Sequence, residues 1–345
     1  MNEQETIGIC ISKIKMAFSE TGLDGEIIVA DNSEDNTPAI AKEKGAEVIT
    51  PDGKGYGYAY RYAFKHLKRK HGNYPKYIVI GDADDTYDFA EMPRLLAPLI
   101  KDEADMVIGS RFKGKMEKGA MPRLHRWIGN PVLTWFLNLF YKAGVSDAHS
   151  GFRAIRGEAL EKLDLRMDGM EFASEMIVEA VKKGLRIREV PISYHKRKNK
   201  NSKLSSFSDG WRHLKFMLMF APDFLFTYPG VSLALAGLFL IALAFLKVHV
   251  RFTPGTQSMI AGSLLAILGY QTLFFGAFAK ILHGRSLPKF LNLEKGATVG
   301  AAVFALGFTW ATWLLLGYVG SGFKALPPVE QSLVCLTLIA LGLQT

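Results

Sequence analysis

Two cysteines in 345 residues, Cys10 and Cys335, are too few for a disulfide scaffold, and they stand in opposite halves of the chain. Nothing else argues for an oxidising compartment. The chain opens Met-Asn-Glu-Gln-Glu, polar and acidic, unlike the basic-then-apolar start of a signal peptide. The charged half is therefore expected in the cytosol. Internal repeats and low-complexity tracts are lacking, and so is any nucleic-acid-binding motif, which excludes nucleic acid as a partner. Charge itself is missing from three long runs, residues 224–246, 252–279 and 296–323.

Each of those runs exceeds the ~20 residues needed to cross a hydrocarbon core as a helix. They predict transmembrane spans at 224–246, 258–279 and 297–320. A fourth apolar run follows Glu330 and reaches Thr345; at ~1.5 Å per residue it covers only ~22 Å, a short span at 329–345. The loop between the second and third spans carries Arg285, Lys289 and Lys295, against Arg251 and Lys324 in the flanking loops. That asymmetry puts the 280s loop on the cytosolic side together with the N-terminal half, in a multi-pass protein of the cell membrane or an endomembrane.

The net charge is +9, concentrated at Arg61–His71 and Lys196–Lys215. The second cluster lies just ahead of the apolar half, which favours lipid headgroups and lipid phosphates as partners. Before it, short apolar runs alternate with helix-like segments. Glu26–Ala30, Lys76–Ile80 and Ala104–Ile108 read as buried parallel strands, with helices over Thr37–Gly45 and Gly55–Lys70. The pattern predicts an α/β, Rossmann-like domain with a largely parallel sheet, in which ligands collect at the carboxyl ends of the strands.

Acidic motifs fall at those ends. Asp82-Ala83-Asp84 follows the strand ending at Ile80, and two carboxylates one residue apart can meet one hard divalent cation. Asp85 and Asp88 raise the acid density further, and such self-repulsion calls for a cation. Asp31 stands at another strand tip, where its carboxylate can accept N–H bonds from a base ring; Asp35 or Thr37 caps the next helix, with Pro38 in its first turn. A third loop, Asp147-Ala-His149-Ser150-Gly-Phe-Arg153, gathers acid, imidazole, hydroxyl and guanidinium, but no nucleophile-elbow pattern surrounds Ser150.

The ordered set Asn-Glu-x-x-Thr-Ile-Gly (2–8), Asp-Asn-Ser-x-Asp-x-Thr (31–37), Gly-Lys-Gly-Tyr-Gly (53–57), Asp-Ala-Asp (82–84), Gly-Ser-Arg-Phe (109–112) and Ser-Asp-x-x-Ser-Gly-Phe-Arg (146–153) resembles the family 2 glycosyltransferases. Within them it looks most like the dolichol-phosphate mannose and glucose synthases, over residues 2 to about 215. The resemblance implies a GT-A-type nucleotide-sugar domain over 1–205, joined by an amphipathic connector at 206–223 to a helical transmembrane domain at 224–345. It implies transfer of a hexose from a UDP- or GDP-sugar to polyprenyl or dolichyl phosphate, with inversion and with Mg²⁺ or Mn²⁺.

By the same resemblance Glu3 and Asp31 hold the nucleoside, and Asp82, Ala83 and Asp84 hold the diphosphate, the two acids also binding metal. Arg111 and Arg126 line the donor and acceptor phosphates, and Asp147 lies near the transferred sugar as a base or an orienting group. Arg197, Ser202 and Lys203 belong to a loop that closes over the phosphates; the bland alternative there is a patch facing lipid headgroups. Bidentate guanidinium contacts suit these roles. Family members also carry an apolar strand ahead of Asn-Glu. Here the sequence starts at Asn2, so that strand is expected to be missing, through a misplaced start or a fragment. Two rival readings stay open, a processive polysaccharide synthase and a membrane carrier or scaffold with an inert transferase-like domain. The first has Arg123 against it, where a Gln-x-x-Arg-Trp motif needs glutamine. The sequence leaves oligomeric state, the sugar and the base open.

Overall fold

The computed structural model describes residues 1–198, 206–248, 254–282 and 293–345. Ser202 and Lys203 lie outside the described residues, as do Arg251, Arg285 and Lys289. Two compact units divide the chain, Met1–Met217 and Leu218–Thr345.

The first unit runs α1 (Ile7–Thr21), β1 (Ile28–Ala30), α2 (Thr37–Glu43), β2 (Glu47–Ile49), α3 (Tyr56–His71) and β3 (Tyr77–Ile80). It continues α4 (Met92–Ile100), β4 (Met106–Met116), α5 (Asn130–Tyr141), β5 (Arg153–Arg156), α6 (Gly157–Glu161), α7 (Phe172–Lys182) and β6 (Ile187–Tyr194), and α8 (Ser206–Met219) runs to its end and two residues beyond. Local chemistry sets the boundaries. Asp35 accepts from the Thr37 amide at 3.0 Å to start α2, with Pro38 in the first turn. Gly22 closes α1 in the left-handed region at φ 64°. The helical spacing of Met92, Leu95, Leu96 and Leu99 buries one face of α4 in a core shared with Phe89, Val107, Phe152 and Ile192.

The sheet is mixed where a largely parallel one was expected. A four-stranded sheet has the order β3-β5-β4-β6, with β5 antiparallel to both its neighbours and β4 parallel to β6. The sequence hid β5 because Arg-Ala-Ile-Arg carries charge at both ends. Its Arg153 is nonetheless buried, donating to the carbonyls of Ser150, Ala173 and Ala148 at 2.7–2.8 Å. β1 and β2 form a separate parallel pair. Among the described residues nothing pairs β1 with β3. Ile27, Val29, Ile78 and Ile80 line the slot between them with Ile11, Ile14, Phe64 and Leu67, and the slot opens into a cleft of about 1860 Å³.

In the helix α8, Phe216 and Met217 are buried, while Trp211 is exposed. In the second unit a turn at Asp223–Thr227 leads into α9 (Tyr228–Phe245), followed by α10 (Thr256–Leu282), α11 (Leu293–Gly320) and α12 (Val329–Gln344). Three helices, Asp223–Phe245, α10 and α11, are long and apolar enough to cross a membrane; α12 has 16 residues. Glycine lets them approach backbone to backbone. A Cβ on Gly237 would lie 2.4 Å from the Ala266 nitrogen, and one on Gly342 2.4 Å from that of Phe304. Asp223 and Lys280 form an ion pair at one end of this bundle.

Candidate active site

The cleft of the first unit collects the loops that follow β1 and β3. Glu3, Asp31, Asp82, Ala83, Asp84, Arg111 and Arg197 all line it. Asp31 is buried, and its Oδ2 has no hydrogen-bond partner, while Oδ1 accepts from Ser33. A buried carboxylate oxygen left unpaired is costly, so this one is an acceptor waiting for a donor. Thr6 ties the Ala83 carbonyl to the head of α1 at 2.7 Å.

Asp82 receives the Tyr60 hydroxyl at 3.3 Å, and its carboxyl is pushed up to about 6 by desolvation and then by the neighbouring Asp84 charge. Asp84 accepts from the amide and hydroxyl of Thr86 through Oδ1. Its Oδ2 faces the Arg197 guanidinium at 3.6 Å. Arg197 also pairs with the buried Glu3, so in this state the basic loop answers the acids of the site. Gly151 leaves room for all this: a Cβ there would lie 2.8 Å from both Asp82 Oδ2 and the Tyr56 hydroxyl.

The acid density that suggested a cation has a second explanation. Asp85 and Asp88 are met by Lys13 at 2.8 and 3.2 Å, and Lys198 lies 3.2 Å from Asp85. Of these four acids, Asp82 and Asp84 are the two that no lysine meets among the described residues. Among the described residues no group of three or more His, Cys, Asp or Glu forms a protein-only cage. The pair still fits Mg²⁺ or Mn²⁺, which commonly takes one or two carboxylates plus substrate phosphates and waters.

Asp147 is fully buried and does not line the cleft; both its oxygens hold Arg111, with Nε···Oδ2 and Nη2···Oδ1 at 2.7 Å. Glu189 fixes the loop behind, accepting from the amides of Ser146 and Asp147 at 2.8 and 3.0 Å. The Arg111 guanidinium also stacks 5.2 Å from the Tyr194 ring centre. Arg126 is not brought to the cleft wall; its guanidinium lies 5.4 Å from the ring centre of Trp127, whereas His125, Gly129, Asn130 and Leu133 of the same helix do line the cleft. Ser150 Oγ has no partner and His149 does not reach it, so no hydrolase triad forms.

Further side chains join the site. Tyr56 and Tyr60 enter the cleft beside Asp82; the Gly-Lys-Gly-Tyr-Gly motif was the available signal. Its glycines are required, since a Cβ on Gly55 (φ 139°) would lie 2.2 Å from the Asp168 carbonyl oxygen and one on Gly57 2.3 Å from that of Met167. Behind the 147–153 loop, Ser174 Oγ bonds His213 Nδ1 at 2.8 Å and reaches His149 Nε2 at 3.4 Å, and the two imidazoles meet edge to face at 4.5 Å. Burial drives both imidazoles below the ordinary histidine range, His213 to about 4.

An α/β domain with a carboxylate pair and cations in one cleft, on a chain with three helices long and apolar enough to cross a membrane, has the arrangement of a membrane-associated glycosyltransferase. The profile of "Glycosyl transferase family 2" matches residues 1–164, and that of the "Glycosyltransferase family 2 C-terminal transmembrane region" matches 284–345. The low-salt glycan biosynthesis hexosyltransferase Agl6 of Haloferax volcanii is 46% identical, covering 100% of this chain and 84% of the relative. The chain belongs to glycosyltransferase family 2. A dolichyl-phosphate hexose transferase of the same organism is 34% identical over 61% of this chain and 85% of its own. Among solved structures, glucosyl-3-phosphoglycerate synthase from Mycobacterium tuberculosis, in complex with Mn²⁺, UDP and glucosyl-3-phosphoglycerate, shares the fold at 22% identity. It has a TM-score of 0.50 and covers 64% of this chain and 77% of its own.

Proposed function

We propose that this glycosyltransferase moves a hexose from a UDP- or GDP-sugar to a polyprenyl or dolichyl phosphate at the cytosolic face of a membrane, with inversion. The observation that carries the reading is one cleft holding both an acid pair, Asp82 and Asp84, and cations, Arg111 and Arg197, for a diphosphate and a phosphate. The printed names of the two Haloferax relatives, a glycan-biosynthesis hexosyltransferase and a dolichyl-phosphate hexose transferase, support the substrate class.

In this reading Asp31 Oδ2 accepts a ring N–H of the base, and Glu3 with the Ala83 backbone borders the nucleoside. Asp82 and Asp84 hold a divalent cation, which when bound supplies counter-charge to the departing diphosphate. Arg111, clamped by Asp147, presents a pre-aimed guanidinium to the phosphates, so Asp147 orients an arginine rather than removing a proton. A phosphate monoester is already largely anionic near neutral pH, its second pKa being about 6, and demands no strong base. Arg197 exchanges its carboxylate partners for phosphate as substrate enters, and Ser202, Lys203 and Arg126 are assigned to the acceptor phosphate. The basic loops and the apolar helices together support a cytosolic catalytic unit.

The test is a panel of UDP- and GDP-hexoses offered to the purified protein with polyprenyl phosphate in Mn²⁺. The expected product is a lipid-phosphate-linked sugar with inverted anomeric configuration and one free nucleoside diphosphate per turnover. A polymeric product, or nucleotide-sugar left untouched across the panel, would overturn the reading.

A further inference from the structure

Among the described residues, three that line the cleft carry a buried polar atom with no hydrogen-bond partner: Asp31 Oδ2, Arg197 Nε and His149 Nδ1. Each such atom is costly to leave unmade. The reading above gives the first to a ring N–H of the base and the second to phosphate. It leaves His149 without a task. One part of a nucleotide-sugar is also left over, the hexose, whose hydroxyls donate and accept hydrogen bonds. The loop that carries His149 passes close to the acid pair, since a Cβ on Gly151 would lie 2.8 Å from Asp82 Oδ2.

The neighbours of His149 decide what its Nδ1 can offer. Burial, with His213, Arg111 and Arg153 adding to it, holds the imidazole well below its ordinary range, so the ring is neutral and carries a single N–H. Ser174 Oγ lies 2.8 Å from His213 Nδ1 and 3.4 Å from His149 Nε2. The hydroxyl has one proton to give. Hydrogen bonds made by O–H are shorter than those made by N–H, so the proton goes to His213 Nδ1 across the shorter gap. Its oxygen then accepts from Nε2–H of His149. In a neutral imidazole the bond made by one nitrogen sets the state of the other, which makes His149 Nδ1 a bare lone pair. Shut from bulk water, it is an acceptor that only a bound group satisfies.

We propose that His149 reads the transferred hexose, its Nδ1 accepting a hydrogen bond from a sugar hydroxyl, with Ser174 and His213 as positioning residues that keep this nitrogen free of a proton. The proposal rests on the donor reading above. A proton on Nδ1 would present a donor where the site needs an acceptor, so the relay from His213 through Ser174 sets the sense of the contact. His213 belongs to α8 and is itself buried, meeting the His149 ring edge to face at 4.5 Å. The helix that leads out of the first unit thereby takes part in sugar recognition.

Calorimetric titration of the full-length protein in nanodiscs with Mn²⁺ tests this, the probes being UDP, GDP and the UDP- and GDP-hexoses of the panel above. His149→Phe keeps a ring of similar shape. It is expected to weaken the nucleotide-hexose about tenfold while leaving the matching free diphosphate unchanged. His149→Asn, whose amide oxygen can stand in for Nδ1, should bring hexose affinity back to within about threefold of the unsubstituted protein. Ser174→Ala should weaken the nucleotide-hexose in the same direction. NMR of nitrogen-labelled histidine should find His149 Nδ1 unprotonated in the unsubstituted protein and in mixed states in that variant. Equal losses for diphosphate and nucleotide-hexose would make His149 a packing residue and overturn the proposal, as would a protonated Nδ1. If the unsubstituted protein binds none of the probes, the donor reading falls and this one with it. Hexose binding that is blind to His149→Phe strikes out this proposal alone.

Discussion

Asp84 is the residue with most to lose. It is one of the two acids in the cluster at 82–88 that no lysine meets, and its Oδ2 faces a guanidinium at 3.6 Å. Asp84→Asn should weaken Mn²⁺ binding at least tenfold, read by manganese paramagnetic resonance without any sugar donor. In the unsubstituted protein the same affinity should fall as pH drops through about 6, because Asp82 takes up a proton there and a proton competes with the cation. Affinity that is flat from pH 7.5 to 5 would remove Asp82 from the cation site. Asp147 makes a different kind of claim. Replacing it by asparagine leaves the Arg111 charge buried without its partner, which costs about 3–5 kcal/mol. Thermal unfolding should register that loss, and nucleotide affinity should fall with it. Asp31, Asp82 and Asp84 were legible in the sequence because carboxylates at strand ends announce themselves, whereas Glu3 came from the family resemblance alone. The Asp147–Arg111 clamp was not, since the partners stand 36 positions apart and only the fold joins them.

At the scale of elements, periodicity found what was regular. α2 and α3 came within a residue or two of their bounds, and the three strands read from β-branched runs are strands. The helix α1 went unread, and β5 was hidden by its terminal arginines. The direction of pairing was likewise out of reach, because the order of strands in a sheet is a long-range property. α8 carries a consequence of its own through His213. Below about pH 6.5 an unfolded chain protonates this imidazole, whereas the folded one refuses the proton until about pH 4. Stability present above pH 6.5 is therefore lost progressively as pH falls between those values. At 1.36 kcal/mol per unit the loss from this group amounts to about 3 kcal/mol. His213→Gln should flatten the dependence of the thermal midpoint on pH between 6.5 and 4; an unaltered slope would show that other groups set it.

For the molecule as a whole, the division into a charged half and an apolar half was the plainest message of the sequence, because lipid imposes long charge-free runs. How the apolar helices pack was less accessible. Glycines scattered through such runs look unremarkable until Gly237 and Gly342 are found against neighbouring backbones. Gly237→Val should force α9 from α10 and cost about 3 kcal/mol, seen as a lower unfolding midpoint in detergent. Gly317→Val is the matched control, since nothing lies within 4 Å of a Cβ there, and it should leave the midpoint unchanged.

The open slot between β1 and β3 has a dynamic signature. In any strand every second amide points to the same side, so alternate amides of Tyr77–Ile80 face away from β5. Amide hydrogen exchange should therefore give a sawtooth along β3, slow and fast residues alternating in the middle of the domain rather than at its rim. The same alternation should run along β1, whose other side is satisfied by β2. Uncovered edges of this kind also recruit extended segments from elsewhere. A stretch of polypeptide laid between them would flatten both sawteeth at once, turning two separate sheets into one continuous array.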